Sequence, residues 1–302
     1  MISEESMNIK RYQVSHVTRY RYTTPVSECH NESRLMLRQH GHQHVHHSEL
    51  RIQPIPTCRH DRTDVYGNHV TYFAIHQPHT MLEIRTASEI SVGNFHNDYS
   101  AFEGLSWEMA KEQLWGVSID PARADVIEFA LESPFVPLDR TIASFALEIF
   151  RPGRSLFDAV CALNQYIYDE FVYDPAFTTV MTPVLEVFHH RRGVCQDFAH
   201  LFLACLRSLG LAARYVSGYL ETLPPPGAQK LQGADASHAW VSVYFPCVGW
   251  LDLDPTNGTL PGEQHLTLAW GRDYGDVIPV NGVLLGGGKT QLHVAVDVKR
   301  MG

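Results

Sequence analysis

The sequence predicts an α+β protein in which an antiparallel β-sandwich precedes a second domain of helices packed on an antiparallel sheet. Residues 8–93 contain short strand-like segments separated by Pro and Gly turn signals, which is typical of sandwich proteins. From residue 155 onward, strongly periodic helical segments alternate with further strand-like segments. We therefore predict a β-sandwich over 1–95, a mostly helical connecting region over 96–154 and the second domain over 155–302.

Composition and charge limit the classes of protein to consider. The chain has 302 residues, of which 44 % are hydrophobic and 19 % are charged, so it has enough apolar residues to fill a packed core. Its formal net charge of −9 disfavours general nucleic-acid binding, which requires a basic surface. No apolar run approaches the ~20 residues of a membrane span, and residues 1–18 lack the apolar core of a signal peptide. We therefore predict a cytoplasmic protein with neither nucleic acid nor a membrane as partner.

The elements of the first two regions follow from residue type and turn signals. β-branched and aromatic residues, alternation and bounding Pro or Gly residues predict strands over 14–22, 48–53, 69–75 and 81–92. In the connecting region we predict helices over 122–131 and 141–149, the first of them after an N-cap at Asp120.

The second domain is predicted from two helical stripes and several strands. Apolar residues three and four positions apart predict a helix over 155–171 and a second one that starts near Cys195 and ends before Gly210. We predict strands over 212–220, 238–245, 250–254 and 291–298. Residues 223–236 include three consecutive prolines, and we predict that they form a surface loop acting as a lid near His238.

Cys195 is the candidate nucleophile among six scattered cysteines, which form no CxxC pair and are predicted to be free thiols. It directly precedes the second helical stripe, so we expect it at the start of that helix. Unpaired backbone N–H groups and the positive end of the helix dipole favour a thiolate there, and the thiolate is the nucleophilic form. Cys205 lies within the stripe and fits the alternative of a small buried side chain.

His238 and Asp254 complete a candidate catalytic triad. His238 begins one predicted strand, and Asp254 ends the next one, just before Pro255. An odd number of residues in the turn between these strands puts both side chains on one sheet face, whereas an even number requires a bulge. In such a triad Cys195 attacks an acyl carbon, His238 transfers the proton and Asp254 holds the imidazole tautomer.

Five segments of the chain resemble the bacterial transglutaminase-like superfamily, of the cysteine protease type. They are YRYTTPVSECHNESRLMLR (20–38), DVYGNHVTYFAI (64–75), GVCQDFAHLFLACLRSLGLAARYVSGYL (193–220), SHAWVSVYFPCVGWLDLDPTNG (237–258) and GRDYGDVIPVNG (271–282). The resemblance covers nearly the whole chain. It implies a papain-like catalytic domain preceded by a transglutaminase-associated β-sandwich, with the family's nucleophile, histidine and aspartate at Cys195, His238 and Asp254.

The carboxylate partner of His238 has an alternative in Asp252. Asp252 stands where family members often carry a small neutral residue, and it shares a strand face with Asp254. We favour Asp254 because it begins the Asp-Pro-Thr-Asn segment.

The resemblance also implies a reaction, which is acyl transfer from a peptide or protein amide through a thioester. The acceptor is water in a protease or amidase and an amine in a cross-linking enzyme, and no cofactor or metal is needed. A non-catalytic peptide- or protein-binding module that keeps the fold is the alternative function.

Further residues are candidates around the triad. We assign tentative substrate-binding roles to Gln196, Tyr219, Trp240 and Arg272, and Trp240 is equally well explained as an interior aromatic. We expect Asp197 to complement the helix dipole and His200 to be structural. The backbone N–H of Cys195 can serve as one oxyanion donor.

A dense group of histidines, His40, His42, His44, His46 and His47, lies in the first domain. Alternation along a strand would put the first four on one face, where imidazoles can bind a divalent metal. The alternative, which we favour, is a solvated edge of the sheet.

Overall fold

The predicted α+β fold with a β-rich N-terminal region is confirmed. The computed structural model describes residues 9–93, 99–116, 121–222 and 236–301, with only the backbone described at 121–123 and 236. Residues 223–235 of the lid predicted over 223–236 lie outside the described residues, as does the predicted N-cap Asp120. No helix in the described part of the chain is long and apolar enough to span a bilayer.

Seven antiparallel strands form the sheet of the N-terminal region. They are β1 (Lys10–Ser33), β2 (Gln43–Gln53), β3 (Cys58–Thr63), β4 (His69–Ile75), β5 (His79–Val92), β12 (Val280–Gly286) and β13 (Thr290–Met301). β1 is the central strand, with β5 and β4 following each other along one side and β13 and β12 along the other. On each side of β1 the pairing partner changes near Pro25. The register between β1 and β5 also shifts there, between Arg21 and Val26. The two halves of this sheet share one hydrophobic core that includes Val14, Ile84 and Phe73.

The C-terminal strands join the first sheet and not the second. The predicted second domain, 155–302, contains β12 and β13, yet both are hydrogen-bonded to β1. Alternation predicted the strand at 291–298, which the structure extends to Thr290–Met301. The local pattern does not encode the partner of a strand, so this long-range pairing was not predictable.

A helical layer and a four-stranded sheet make up the second unit. The helices are α1 (Trp107–Trp115), α2 (Pro121–Ile127), α3 (Arg140–Ile149), α4 (Leu156–Glu170), α5 (Val184–His190) and α6 (Cys195–Ser208). The antiparallel sheet has the order β10-β9-β8-β11, with β8 (Ala213–Leu220), β9 (Ala236–Phe245), β10 (Gly249–Leu253) and β11 (His265–Gly271). A short parallel pair, β6 (Val172–Tyr173) and β7 (Arg192–Gly193), precedes α6.

The core of the second unit surrounds α6. Leu201, Phe202 and Leu206 of α6 are fully buried and pack with Val241 and Val243 of β9. Because α6 is enclosed on all sides by this core, its first residue is held in a fixed position relative to β9.

Buried polar bonds join the two units. The side chain of Gln43 in β2 accepts from the N–H of Thr267 and donates to its carbonyl oxygen, both at 2.8 Å. Asn68 makes the same pair of bonds with Trp270, at 3.0 and 2.8 Å. β11 is an edge strand of the second sheet, and the two amides make hydrogen bonds that a further strand would otherwise make. The first unit thus pairs backbone N–H and carbonyl groups at this edge.

Candidate active site

Cys195 is the first residue of α6 and is partly exposed, whereas Cys205 is fully buried in the same helix. The Asp197 side chain accepts a hydrogen bond from the N–H of Val194 at 2.8 Å and so closes the first turn. A Cβ at Gly193 would lie 2.8 Å from the Cβ of Asp197, which explains why glycine precedes the helix. The Cys195 thiol therefore lies at the N-terminal, positive end of the α6 dipole.

His238 and Asp254 lie on one face of the sheet. Phe245 pairs with Gly249, so the turn between β9 and β10 has three residues, the odd number that puts the two side chains on the same side. The Nε2 atom of His238 lies 2.7 Å from Oδ2 of Asp254. Cys195 contributes to raising the pKa of the imidazole, so its sulfur lies near the ring. Nε2 is engaged by Asp254, so Nδ1 is the ring nitrogen that remains available for the thiol proton.

The electrostatics of this group favour an ion pair. Burial opposes the charge on His238, but its hydrogen bonds to Asp254 and Cys195 outweigh that cost and raise the pKa of the imidazole well above its usual range. Burial likewise acts to raise the pKa of Asp254, and the bonds from His238 and His265 more than reverse it, so the pKa lies well below its usual range. Asp254 therefore stays ionised and holds His238 in its protonated form.

Two residues around Asp254 were not predicted from the sequence. His265, at the start of β11, places Nε2 3.0 Å from Oδ2 of Asp254. The Asn257 amide donates to the same oxygen at 2.6 Å and lies 3.4 Å from Nε2 of His238. Asn257 belongs to the Asp-Pro-Thr-Asn segment, which is a usable signal, whereas His265 is one histidine among 18 with no local pattern to mark it.

The Asp254 carboxylate is fixed from both sides. It is fully buried, and its Oδ1 accepts the backbone N–H groups of Thr256 and Asn257 at 3.0 and 3.2 Å. Its position is therefore set by the turn that follows β10, and the carboxylate in turn sets the orientation of the His238 ring.

Trp240 and Asp252 form a second pair beneath the triad. The indole of Trp240 is fully buried, and its Nε1 donates to Oδ2 of Asp252 at 3.2 Å. Its ring centroid lies 6.1 Å from that of His238 and 5.3 Å from that of His265. Asp252 thus binds Trp240 and leaves His238 to Asp254, and Trp240 supports the histidines from the interior.

The remaining tentative substrate-binding residues have other partners in the structure. Gln196 lies next to Cys195 but donates through its amide to the carbonyl of Val180 at 3.1 Å. Tyr219 is 1 % exposed, and its hydroxyl bonds Nδ1 of His16 in β1 at 3.0 Å. Tyr219 therefore belongs to the contact between the two units, and its burial removes it from any substrate path.

Arg272 is held by an ion pair. Its Nε and Nη2 atoms donate to the two oxygens of Asp276 at 2.9 and 3.0 Å, and its carbonyl oxygen accepts from the buried Arg207. This pairing shapes the loop after β11, and it does not bring Arg272 to the triad.

His200 has the interior position that was expected of a structural residue. It is buried, its Nε2 accepts from the N–H of Tyr274 at 3.2 Å, and burial lowers its pKa to about 3. The imidazole is therefore neutral and serves as a hydrogen-bond acceptor within the core.

The histidine group at 40–47 does not form one metal-binding face. The register of β2 shifts between Val45 and His47, which breaks the alternation. His44 and His46 bond Gln39 and Ser91 instead. Within the described ranges, groups of three or more His, Cys, Asp or Glu donors close enough to share a metal are Glu28, His30 and His76, and the triad group His238, Asp254 and His265.

A cleft of about 560 Å³ lies where the two units meet near Asp252. Its lining includes Tyr99, Phe102, Arg214, Trp250 and Trp270. The Arg214 guanidinium lies between two indoles, with its Cζ 4.3 Å from the Trp250 ring centre and 3.7 Å from that of Trp270. A cleft of this size and aromatic character is typical of ligand-binding sites.

Comparison with known proteins agrees with this geometry. Residues 143–255, which include the three triad positions, match the core model of the transglutaminase-like superfamily. Residues 12–91 match the bacterial transglutaminase-like N-terminal region. An uncharacterised protein of Mycobacterium tuberculosis is 38 % identical over 295 residues, covering 95 % of this chain and 92 % of that protein. The chain belongs to the transglutaminase-like superfamily.

Two further similar proteins are informative. A protein-glutamine gamma-glutamyltransferase of Pseudomonas aeruginosa is 33 % identical over 122 residues, which is 37 % of this chain and 18 % of that protein. A crystal structure from Cytophaga hutchinsonii, which its name proposes to be a cysteine protease, superposes with a TM-score of 0.76 at 20 % identity. It covers 98 % of this chain and 92 % of that one, so the same fold extends over both units. These relatives support a cysteine-dependent catalytic fold for this chain.

Proposed function

We propose that this protein is a cysteine-dependent enzyme that cleaves or transfers the acyl group of peptide or protein amides. The observation that supports this most directly is that Cys195 begins α6 near His238, whose ring bonds the fully buried Asp254 at 2.7 Å. Each group has the residue type and contact that nucleophilic catalysis requires.

In the first half-reaction, the Cys195 sulfur forms a bond to the carbonyl carbon of the substrate. The thiol proton resides on His238, which passes it to the leaving nitrogen as the carbon–nitrogen bond breaks. The backbone N–H of Cys195, at the helix start, stabilises the negative charge on the carbonyl oxygen. The products are a thioester on Cys195 and a released amine or ammonia.

In the second half-reaction, water or a primary amine attacks the thioester carbonyl. His238 takes the proton of the attacking group and returns it to the sulfur, which leaves as the carbon–sulfur bond breaks. Water yields a carboxylate, and an amine yields a new amide. The two named relatives represent both outcomes, since one name gives an acyltransferase and the other proposes a protease.

None of the three triad residues lines the cleft beside Asp252, which we propose as a site for a part of the substrate away from the reacting amide. Asp252 lies two residues before Asp254 and bonds Trp240, which packs on His238. The cleft is thus one side-chain layer away from the triad. Its aromatic walls suit an extended peptide segment.

Thiol labelling tests the nucleophile. We would treat the protein with limiting iodoacetamide near neutral pH and map the modified peptides. Cys58 and Cys247 are exposed and Cys195 only partly so, so accessibility alone would label the former pair first. We expect Cys195 to be labelled fastest, and His238→Ala to slow Cys195 while the rate at Cys58 is unchanged. Preferred labelling of Cys58 and Cys247 would overturn the proposal and favour a non-catalytic peptide-binding module.

The acceptor is tested with a glutamine-containing peptide in the presence and absence of a fluorescent primary amine. Incorporation of the amine supports transfer, and conversion to a carboxylate or backbone cleavage supports hydrolysis. Cys195→Ala is the control, and turnover by that variant would overturn the assignment of Cys195. The cytoplasmic location predicted from the sequence is tested separately by cell fractionation.

A further inference from the structure

Three metal-ligating side chains meet on the outer surface of the N-terminal sheet, in β1 and just after β4. The Nε2 atom of His30 lies 2.8 Å from Oε1 of Glu28, and Nε2 of His76 lies 3.5 Å from the same oxygen. All three donor atoms lie within 4.8 Å of one another. None of these residues takes part in the triad or in the cleft beside it.

The sheet itself brings the three residues together. Glu28 and His30 are two positions apart in β1, so their side chains lie on the same face. Cys29 pairs with Ile75, the last residue of β4, and the next residue, His76, lies beside Glu28. The residue opposite His30 is Ala74, whose small side chain leaves room above it for the two imidazole rings. Backbone pairing therefore sets the positions of Glu28 and His30, and His76 directly follows the last paired residue of β4.

The donor types and spacing fit a zinc-like ion. Two imidazoles and one carboxylate form a common zinc donor set, with a further position open to water. With metal–ligand distances near 2.0–2.1 Å, neighbouring donors of a tetrahedral site are about 3.3 Å apart. The two measured separations, 2.8 and 3.5 Å, lie on either side of that value.

A second layer of contacts orients one of the ligands. The Nδ1 atom of His30 lies 2.7 Å from the hydroxyl of Tyr72, so its Nε2 points toward Glu28. Such an outer partner fixes the tautomer of a metal-binding histidine. The ion pairs that Glu28 makes in the described part of the chain are with His30 and His76, so its carboxylate is not neutralised there by Lys or Arg.

We propose that Glu28, His30 and His76 form a binding site for a divalent transition metal of the zinc type. The three side chains are partly exposed, His30 at 39 %, Glu28 at 40 % and His76 at 52 %, so a hydrated ion can reach all of them directly. A bound ion would link β1 to the end of β4 across the sheet surface.

Titration of EDTA-treated protein with zinc chloride, followed by calorimetry, tests the site. We expect binding by the unaltered chain, loss of that binding in His76→Ala, and a smaller, about tenfold, weakening in Tyr72→Phe. His44→Ala, an exposed histidine outside the group, is the matched control and should bind as the unaltered chain does. Because the triad group offers a second possible site, His265→Ala is titrated in parallel and should retain the Glu28 site.

Thermal unfolding supplies a second readout. Zinc should raise the Tm of the unaltered chain and of His44→Ala, and should leave the Tm of His76→Ala unchanged. Equal Tm values of the metal-free proteins show that His76→Ala is folded. No binding by the unaltered chain, or binding by His265→Ala that the added change His76→Ala does not remove, would overturn the site and leave an exposed hydrogen-bonded cluster only.

Discussion

His238 and His265 bond the same oxygen of one buried carboxylate. The Nε2 atoms of the two rings lie 2.7 and 3.0 Å from Oδ2 of Asp254, and the ring centroids are 6.0 Å apart. Asp254 therefore has two imidazole partners that arrive from different strands, His238 from β9 and His265 from β11. The proposed triad is in this sense extended by a fourth residue that does not face Cys195.

Replacing His265 should weaken the triad without removing it. In His265→Asn we expect activity to fall by about tenfold, since Asp254 loses one hydrogen bond worth roughly 1–3 kcal/mol but keeps those of Asn257 and the backbone. The pH profile should shift as well, because Asp254 is then less strongly held as a carboxylate. Steady-state kinetics over a range of pH measures both effects. Activity equal to that of His238→Ala would show that His265 has a more direct role.

Matched substitutions separate the two candidate carboxylates. Asp254→Asn should lower the rate of the chemical step by roughly 10³–10⁴-fold, as expected when the histidine of a triad loses its orienting carboxylate. Asp252→Asn keeps a hydrogen-bond acceptor for Trp240 and should change the rate far less. The comparison uses Cys195 alkylation and amide turnover. The reverse order of effects would assign Asp252 as the partner of His238.

The His238–Asp254 pair should make stability depend on pH in two directions. His238 has a raised pKa in the folded protein, so its contribution is complete below the unfolded value near 6.5 and is lost as the pH rises toward the folded pKa. Asp254 has a lowered pKa, so its contribution is present above the unfolded value near 3.9 and is lost as the pH falls below it. Tm measurements from pH 3 to 10 on the unaltered chain and His238→Gln test this. We expect the difference between the two to shrink toward alkaline pH.

Gly193→Ala should displace Cys195. The added Cβ would lie 2.8 Å from the Cβ of Asp197, so the first turn of α6 must shift, at a cost of about 1–3 kcal/mol. We expect a lower Tm and slower alkylation of Cys195. Gly262→Ala is the control, because a Cβ there meets nothing within 4 Å. Unchanged alkylation in Gly193→Ala would mean that the helix start tolerates the shift.

The predictable parts of the site are those with a local cause. Cys195 at a helix start follows from the apolar stripe behind it, and the helix begins at that residue as expected. Whether His238 and Asp254 share a face depends on the number of residues in one turn. Strand patterns place the ends of strands only to within a residue or two, so they do not give that number. The structure shows three residues in that turn and so decides between the two alternatives.

The unpredicted parts depend on contacts between distant segments. His265 reaches Asp254 only because β11 pairs with β8, and β11 itself was not predicted. Tyr219 lies in a predicted strand, but the strand pattern does not show whether its side chain is exposed. The side chain is buried because the N-terminal sheet packs over it, and its hydroxyl bonds His16 of that sheet. The pairing of β12 and β13 was not predictable either, because their partner, β1, is distant from them in sequence.

The pairing of β13 with β1 affects how the protein folds. Arg11 pairs with Met301, so this part of β1 lacks one of its two neighbours until residues 290–301 have been synthesised. Contacts between residues this distant in sequence are slow to form, and an unpaired strand edge favours association with other chains in the meantime. Once β13 has paired with β1, the first sheet contains strands that precede and strands that follow the second unit in sequence. We therefore expect a single cooperative unfolding transition, in which the two units melt together.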